Sequence, residues 1–198
     1  MARNREPILK TCRSLDISPT HLGSFKTSRR GAAAATGRRK KLSEYGTQLR
    51  EKQRVKFVYG VLEKQFRLTY EKGSKMKGKA GENLLILLES RLDSVMFRLS
   101  YGNTRPHARQ LVTHGHVCVN GRHVNIPSYI VKPGDVVSIN EKSRTTELFK
   151  TFVENAKAVP VWIDADYANF SATFTRRPLR EEIDLPVNEN LIVELYNK

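Results

Sequence analysis

Hydrophobic residues recur every three or four positions through much of the first 115 residues of this chain. Val55, Val58, Leu62 and Phe66 follow this spacing and predict a helix over residues 43–71. A glycine inside this pattern marks either a break or a close helix contact. Basic side chains occupy much of the remaining helix surface, so one face is expected to be buried and the other to be polar.

Two further helices are predicted after a basic, glycine-containing loop at residues 72–81. The most regular apolar stripe lies within residues 82–100 and is expected to be core. The next helix is expected to have Thr104 as its N-cap and Pro106 in its first turn, and to end at Gly115. The apolar stripe of the first of these helices consists of Leu85, Leu88, Leu92, Val95, Met96 and Leu99.

The pattern then changes to an alternation of apolar and polar residues, which is typical of strands. Val117 and Val119, followed by the pair Asn120-Gly121, predict a hairpin with a type I′ turn. Further short strands are expected at residues 129–131 and 136–139. Beyond these strands, a helix is predicted over residues 146–158, and the chain is predicted to be irregular after Pro160. A short apolar terminus at residues 191–196 is expected to dock on the body of the protein.

These elements predict an α+β fold, with an N-terminal helical domain followed by a helix-turn-helix and a small curled antiparallel sheet. Residues 1–42 are expected to be a basic, flexible segment, because they have few large apolar side chains to offset their ordering entropy. The helical domain is predicted to cover residues 43–90, with residues 188–198 packed on it. The α/β domain is predicted to cover residues 91–187.

The positive charge is concentrated in the N-terminal part. The chain has 198 residues, with 35 Lys and Arg against 20 Asp and Glu, a formal net charge of +15. Residues 1–60 hold 15 of those cations and 4 of those acids, whereas residues 143–198 are slightly acidic. An enzyme that acts on neutral metabolites has no need for this self-repulsion, whereas a polyanionic partner accounts for it. We therefore expect the N-terminal part to bind the polyanion and the C-terminal part to pack or to contact a protein.

Several classes of protein are excluded by the sequence. No apolar run reaches membrane-spanning length, and the basic N-terminus lacks the apolar region of a secretory signal. Cys12 and Cys118 lie far apart, which excludes a disulfide scaffold and fits a reducing cytoplasm. His114 and His116 have no nearby third ligand, so neither a metal site nor a cofactor is expected. The 59 residues after Ile139 hold no nucleophile or phosphate-loop motif, and no catalytic residue is predicted.

The side chains best suited to bind phosphates lie in residues 91–139. Arg105 and Arg109 are four residues apart, so they share one face at the start of a predicted helix. The polar residues expected around them are Thr104, Gln110, His114, His116, Asn120 and Arg122. A helix N-terminus, two guanidinium groups and several neutral donors suit phosphates held in a fixed geometry. A basic helix-turn-helix is also compatible with the DNA major groove, so these residues alone leave RNA and DNA open.

A run of short motifs carries more information than the charge. They are Arg91-Leu92-Asp93, Thr104-Arg105, Ala108-Arg109, Gly115-His116, Val119-Asn120-Gly121, Pro127-Ser128 and Gly134-Asp135. Together they resemble the RNA-binding domain named after the fourth protein of the small ribosomal subunit. That domain also occurs in RNA-modifying enzymes, so the recognition module of such an enzyme is the alternative function. The flanking residues 40–53, 59–66, 81–84 and 188–196 resemble the bacterial ribosomal protein S-four family itself.

The resemblance implies a structural rRNA-binding protein of the small ribosomal subunit, located in the cytoplasm. It implies two domains that clamp a multi-helix junction in the 5′ region of small-subunit rRNA and nucleate subunit assembly. It also implies contact with ribosomal protein S-five that affects decoding accuracy, contact with other small-subunit proteins and, in many members, with mRNA. No membrane partner and no obligate homo-oligomer are expected. Some members hold zinc with four N-terminal cysteines; Cys12 stands alone before residue 100, so the chain resembles the zinc-free branch.

RNA-binding residues are implied in the N-terminal segment and in both domains. In the second domain they are the residues of the predicted helix start and hairpin given above. Tyr45 either stacks on a base or is buried, and both interpretations stay open. The other residues are Arg3, Arg38, Arg39, Lys40, Lys41, Arg50, Lys52, Arg54, Lys56, Arg67, Lys75, Lys77 and Lys79.

Overall fold

The structure is a computed structural model that describes residues 7–25 and 42–197. The helices are α1 Ile8–Leu15, α2 Glu44–Val58, α3 Glu63–Ser74, α4 Ala80–Glu89, α5 Leu92–Arg98, α6 Arg105–Thr113, α7 Glu141–Arg144, α8 Glu147–Glu154 and α9 Glu189–Tyr196. The strands are β1 Val117–Val119, β2 Arg122–His123, β3 Val136–Ile139, β4 Ile163–Asp166 and β5 Ser171–Phe174. Short 3-10 helices cover Pro19–Leu22 and Arg180–Glu182. No helix within the described ranges is both long and apolar enough to cross a membrane.

The described residues form two compact units. One contains residues 7–25, 42–82 and 184–197, and the other contains residues 83–183. The division falls within α4, a little before the boundary at residue 90 that the sequence predicted. In the first unit the C-terminal helix α9 packs against α2.

The long helix predicted over residues 43–71 is two helices. Ser43 caps α2 as predicted, because its hydroxyl accepts a hydrogen bond from the amide of Gly46 at 3.2 Å. Gly60 ends the run, because its φ of +61° lies in the left-handed region that other residues rarely adopt. Beyond it α3 contributes Tyr70, whose ring stacks on that of Tyr196 with centroids 4.6 Å apart.

Residues 7–25 differ from the predicted flexible segment. They form α1 and the first 3-10 helix, and Cys12, Ile17 and Leu22 are buried. The backbone carbonyl of Leu15 also accepts a hydrogen bond from Arg54 Nε of α2 at 2.7 Å. The prediction of a loosely structured chain was wrong for these residues, because a few dispersed apolar side chains suffice once α2 supplies a surface to cover. The remaining residues of that segment, 1–6 and 26–41, lie outside the described ranges.

The second unit begins with α4 and α5, which the sequence predicted as one helix over residues 82–100. The backbone of Arg91 is extended between them, with φ −69° and ψ 142°. There Arg91 forms an isolated β-bridge with Ile130, and the amide of Leu92 donates to the carbonyl of Tyr129 at 2.8 Å. Hydrogen bonds to a distant segment therefore replace those of a continuous helix. The strand predicted at residues 129–131 is no more than this bridge.

The sheet of the second unit is antiparallel throughout, with the order β2-β1-β3-β5-β4. The predicted turn between β1 and β2 is confirmed, since Asn120 and Gly121 have φ of 50° and 74°. Strands β4 and β5 lie in the stretch that was predicted to be irregular. Helices α5, α6 and α8 contribute many of the buried side chains of this core, which includes Trp162, Phe149 and Phe174. The predicted α+β fold is confirmed.

Candidate nucleic-acid interface

The start of α6 is built as the sequence predicted. The Thr104 hydroxyl accepts a hydrogen bond from the amide of His107 at 3.3 Å, and Pro106 stands in the first turn. Gly102 permits the tight turn from α5, because a Cβ there would lie 2.7 Å from the backbone nitrogen of Ala108. This turn fixes the position of the arginine side chains that follow.

Arg105 lies inside the protein. Only 8% of its surface is exposed to solvent. Its guanidinium donates hydrogen bonds to Glu89 Oε1 and to Ser94 Oγ, both at 3.2 Å. The same group stacks over the ring of Phe97, with its carbon 4.7 Å from the ring centroid. The structure therefore shows internal partners for Arg105, and its contact with RNA stays a prediction.

Glu89 holds a second arginine as well. Its side chain is fully buried and accepts two hydrogen bonds from Arg98, at 3.0 Å and 2.8 Å. Arg98 in turn lies over the ring of Trp162 at 5.9 Å. The buried Glu89 carboxylate thus accepts hydrogen bonds from two guanidinium groups.

Asp93, in the first turn of α5, repeats this arrangement with Arg109, which lies one turn beyond Arg105 on α6. It accepts two hydrogen bonds from Arg91, at 3.0 Å and 2.7 Å, and both side chains are buried. Its Oδ2 also lies 3.6 Å from Nη1 of Arg109. We call these six side chains the buried arginine cluster: Arg91, Arg98, Arg105 and Arg109 around Glu89 and Asp93.

The sequence predicted Arg105 and Arg109 as site residues but assigned no role to Glu89 and Asp93. Asp93 does belong to the Arg91-Leu92-Asp93 motif, so its position was visible while its function was not. An acidic residue at position 89, directly after the apolar run at residues 84–88, was the available signal for the other carboxylate. Such a residue is buried only when it is paired.

At the hairpin, Asn120 and Arg122 have different surroundings. The Asn120 side chain accepts a hydrogen bond from the amide of Val136 and donates one to Asp135, both at 2.8 Å. These bonds tie the turn to the start of β3. Arg122 is exposed on β2, the edge strand of the sheet. Gln110 is also exposed, on α6.

The two predicted histidines also differ. His114 is exposed at the end of α6, whereas His116 is partly buried and its Nδ1 lies 2.9 Å from the hydroxyl of Ser143. Burial, and then the charge of His114, lowers the pKa of His116 below its usual value. Within residues 7–25 and 42–197 no three His, Cys, Asp or Glu side chains converge to form a metal site.

All four predicted cations of α2 are engaged in ion pairs. Lys52 and Lys56 contact the two carboxylate oxygens of Glu63, at 2.7 Å and 3.3 Å. Burial acts to raise the pKa of Glu63, but these two lysines hold it below its usual value. Arg54 pairs with Glu51 as well as with the Leu15 carbonyl, and Arg50 lies 3.7 Å from Asp16.

The exposed predicted residues of the first unit lie mostly beyond α2. Lys75, Lys77 and Lys79 are all exposed in the segment from the end of α3 to the start of α4, and Lys79 pairs with Glu82 on the surface. We call these three residues the exposed lysine loop. Arg67 pairs with Glu71 one turn away, also in solvent, and Tyr45 is exposed in the first turn of α2. Arg3, Arg38, Arg39, Lys40 and Lys41 lie outside the described residues.

Two family models match the chain side by side. Residues 3–89 match the ribosomal protein S4/S9 N-terminal domain, and residues 90–137 match the S4 domain. The second match spans α5, α6, the β1–β2 hairpin and the first two residues of β3. It therefore contains most of the buried arginine cluster and the hairpin.

Relatives are similar from end to end. The small ribosomal subunit protein uS4 of Lachnoclostridium phytofermentans is 57% identical, with all of both chains covered. The proteins of the same name from Lachnospira eligens and Agathobacter rectalis are 56% and 53% identical, again over the whole of both chains. The domain architecture, the α+β fold and this likeness agree, and the chain belongs to the uS4 family of ribosomal proteins.

Proposed function

We propose that this chain is a structural constituent of the small ribosomal subunit that acts in the cytoplasm and is not an enzyme. Its main support is the likeness over the full length to proteins named as small ribosomal subunit proteins. The alternative, the recognition module of an RNA-modifying enzyme, does not account for a match that extends through both units. The net charge of +15 fits a polyanionic partner.

The proposed RNA target is a multi-helix junction in the 5′ region of small-subunit rRNA, bound early so that assembly is nucleated. Two surfaces of different units support this proposal. The exposed lysine loop offers ammonium point charges to phosphates, whereas the α6 face and the hairpin offer guanidinium and amide donors. A junction offers phosphates in a fixed three-dimensional arrangement, and shape recognition of this kind needs fixed donors as well as charge.

A filter-binding titration at several salt concentrations tests this function. The chain would be mixed with a transcript of the 5′ region of small-subunit rRNA, with transfer RNA and duplex DNA as competitors. We expect tight binding that survives both competitors at equal mass. Equal binding to all three nucleic acids would show a simple polycation and would contradict the proposal.

Protein contacts and mRNA contact are the finer part of the proposal. Residues 143–198 are slightly acidic, and the segment before and within β4 exposes Val161, Asp164 and Asp166. An acidic surface with an exposed apolar residue suits a basic protein partner, and ribosomal protein S-five is the partner that the family resemblance implies. Purified S-five should bind the wild-type chain more tightly than a variant with Asp164→Asn and Asp166→Asn. Equal binding would place the contact elsewhere.

A further inference from the structure

The buried arginine cluster contains twice as many cations as anions. Glu89 forms ion pairs with Arg98 and Arg105, and Asp93 forms ion pairs with Arg91 and Arg109. Buried carboxylates of this kind are costly unless they are fully matched by hydrogen-bonded cations. The bidentate Arg91–Asp93 and Arg98–Glu89 pairs already provide one matching cation for each carboxylate. The other two guanidinium groups, those of Arg105 and Arg109, make further contacts with the same two carboxylates.

The two arginines of Asp93 are not equivalent. Arg91 bonds at 3.0 Å and 2.7 Å and its side chain is 6% exposed, whereas Arg109 lies at 3.6 Å and its side chain is 19% exposed. Arg109 is thus the looser partner and the one nearer solvent. It also stands on α6 next to Gln110, which is exposed.

Asp93 itself is held firmly. It lies in the first turn of α5, and its backbone amide donates to the carbonyl of Pro127 at 3.2 Å. Arg91 donates one hydrogen bond to each oxygen of its carboxylate. A carboxylate fixed in this way limits the orientations of a nearby guanidinium group by charge attraction alone.

We infer that Asp93 is a positioning residue for RNA binding: its buried carboxylate orients the guanidinium of Arg109 toward an RNA phosphate. This inference rests on the proposed function. Asp93 does not contact RNA itself, and its effect on affinity passes through Arg109. Because Asp93 already restricts the Arg109 side chain in the free protein, less conformational entropy is lost when a phosphate binds.

The inference predicts the opposite sign from simple electrostatics. Replacing an aspartate by asparagine adds one positive charge to the protein, and charge alone would then strengthen binding to a polyanion. If Asp93 orients Arg109, the same change weakens binding, because Arg109 no longer presents its donors in one geometry. The sign of the change therefore separates the two accounts.

The experiment compares the wild type with Asp93→Asn, Arg109→Gln and the double variant in the rRNA filter-binding titration. We expect Arg109→Gln to weaken binding about tenfold, since it removes one charge-assisted contact. It should also reduce the slope of log affinity against log salt by about 0.7–0.9. Asp93→Asn should weaken binding in the same direction, and the double variant should bind no more weakly than Arg109→Gln alone.

Glu154→Gln is the matched control. Glu154 is exposed at the end of α8, and its replacement makes the same change of charge far from the cluster in sequence and outside it in structure. The affinity of the Glu154→Gln variant for the rRNA transcript should equal or slightly exceed that of the wild type. Circular dichroism and urea unfolding of each protein identify conditions in which all variants are folded, and the affinities are compared under those conditions. If Asp93→Asn does not fold, Asp93→Glu retains the charge, displaces the carboxylate by one methylene, and should weaken binding less than Arg109→Gln.

Three outcomes would overturn the inference while leaving the proposed function intact. The first is unchanged or tighter binding by Asp93→Asn, or by Asp93→Glu where that variant replaces it. The second is an additive effect of the Asp93 and Arg109 changes. Loss of affinity explained entirely by a smaller folded fraction is the third. If the wild type itself does not distinguish rRNA from the competitors, the proposed function fails first.

Discussion

The buried arginine cluster and the exposed lysine loop are both basic, yet the structure gives their charges different tasks. In the cluster, Glu89 and Asp93 bind arginines inside the second unit, and those contacts join α4, α5 and α6. In the loop, Lys79 is 79% exposed and its pair with Glu82 lies in solvent. Charges of the first kind stabilise the fold and set geometry, whereas charges of the second kind attract a polyanion.

The physical reason for this difference is desolvation. An exposed ion pair contributes about 0–1 kcal/mol, because water screens it and both side chains lose freedom. A buried pair contributes little over apolar packing, but the loss of one partner leaves a desolvated charge that costs several kcal/mol. The comparison therefore predicts large stability effects in the cluster, and effects on affinity without loss of stability in the loop.

Glu89→Gln should produce the largest effect on stability. It keeps the shape of the side chain but leaves Arg98 and Arg105 without a matching anion. We expect the free energy of unfolding to fall by about 3–5 kcal/mol. Urea unfolding followed by circular dichroism measures this change, with Glu154→Gln as a surface control that should change it by less than about 0.5 kcal/mol. A loss below about 1 kcal/mol for Glu89→Gln would show that the cluster does not stabilise the fold.

Arg105→Ala should have a smaller effect of the same kind. It removes the bonds to Glu89 and Ser94 and the contact with Phe97, but Arg98 still neutralises Glu89. We expect a loss of about 2 kcal/mol by urea unfolding. Arg105→Lys should not restore the full stability, because an ammonium group cannot reproduce the planar stack and the two separate bonds. Full rescue by lysine would mean that charge alone matters at this position.

The exposed lysine loop should respond in the opposite way. Replacing Lys75, Lys77 and Lys79 together by alanine should change the free energy of unfolding by only about 0.5 kcal/mol per site or less. Binding to the rRNA transcript should weaken about tenfold, or 1.4 kcal/mol, with a shallower salt dependence. The control replaces three exposed lysines that were not predicted to bind RNA, Lys132, Lys142 and Lys150. Equal losses in the two triple variants would show that only net charge is recognised.

Local signals predicted much of the fold. The cap at Thr104 and the Asn120-Gly121 turn act over a few residues, and both are present in the structure. The break at Arg91 was missed, because its cause is a hydrogen-bonded bridge to Ile130, far along the chain. Strands β4 and β5 were missed because small residues such as Ala165 and Ala172 weaken their apolar alternation.

The candidate site was predictable in composition but not in arrangement. Sequence indicates which side chains are cationic, and the motifs indicate which of them belong to an RNA-binding family. It does not indicate which carboxylate each one contacts, because Glu89 and Arg105 meet only after α4 and α6 have packed. The division between buried and exposed cations is thus a property of the tertiary structure.

His116 lies between the two extremes and should give the smallest effect. Ser143 and His114 are the polar neighbours of its ring, and Phe149 packs against it with centroids 5.6 Å apart. Because its pKa is lowered in the folded state, the unfolded chain binds the proton more readily, and stability is lost as the pH falls through the usual value near 6.5. Its contribution is fully present above that pH.

Thermal unfolding of the wild type and of His116→Gln between pH 7.5 and pH 5.5 measures this contribution. The difference between the two melting temperatures isolates His116, because the two proteins differ only at this side chain. We expect the wild type to lose at most about 2 °C more than the variant over this range. The effect is small because the ring is only partly desolvated and water stabilises its charged form. Parallel curves would place His116 with the exposed groups, whereas a loss of many degrees would place it with the buried arginine cluster.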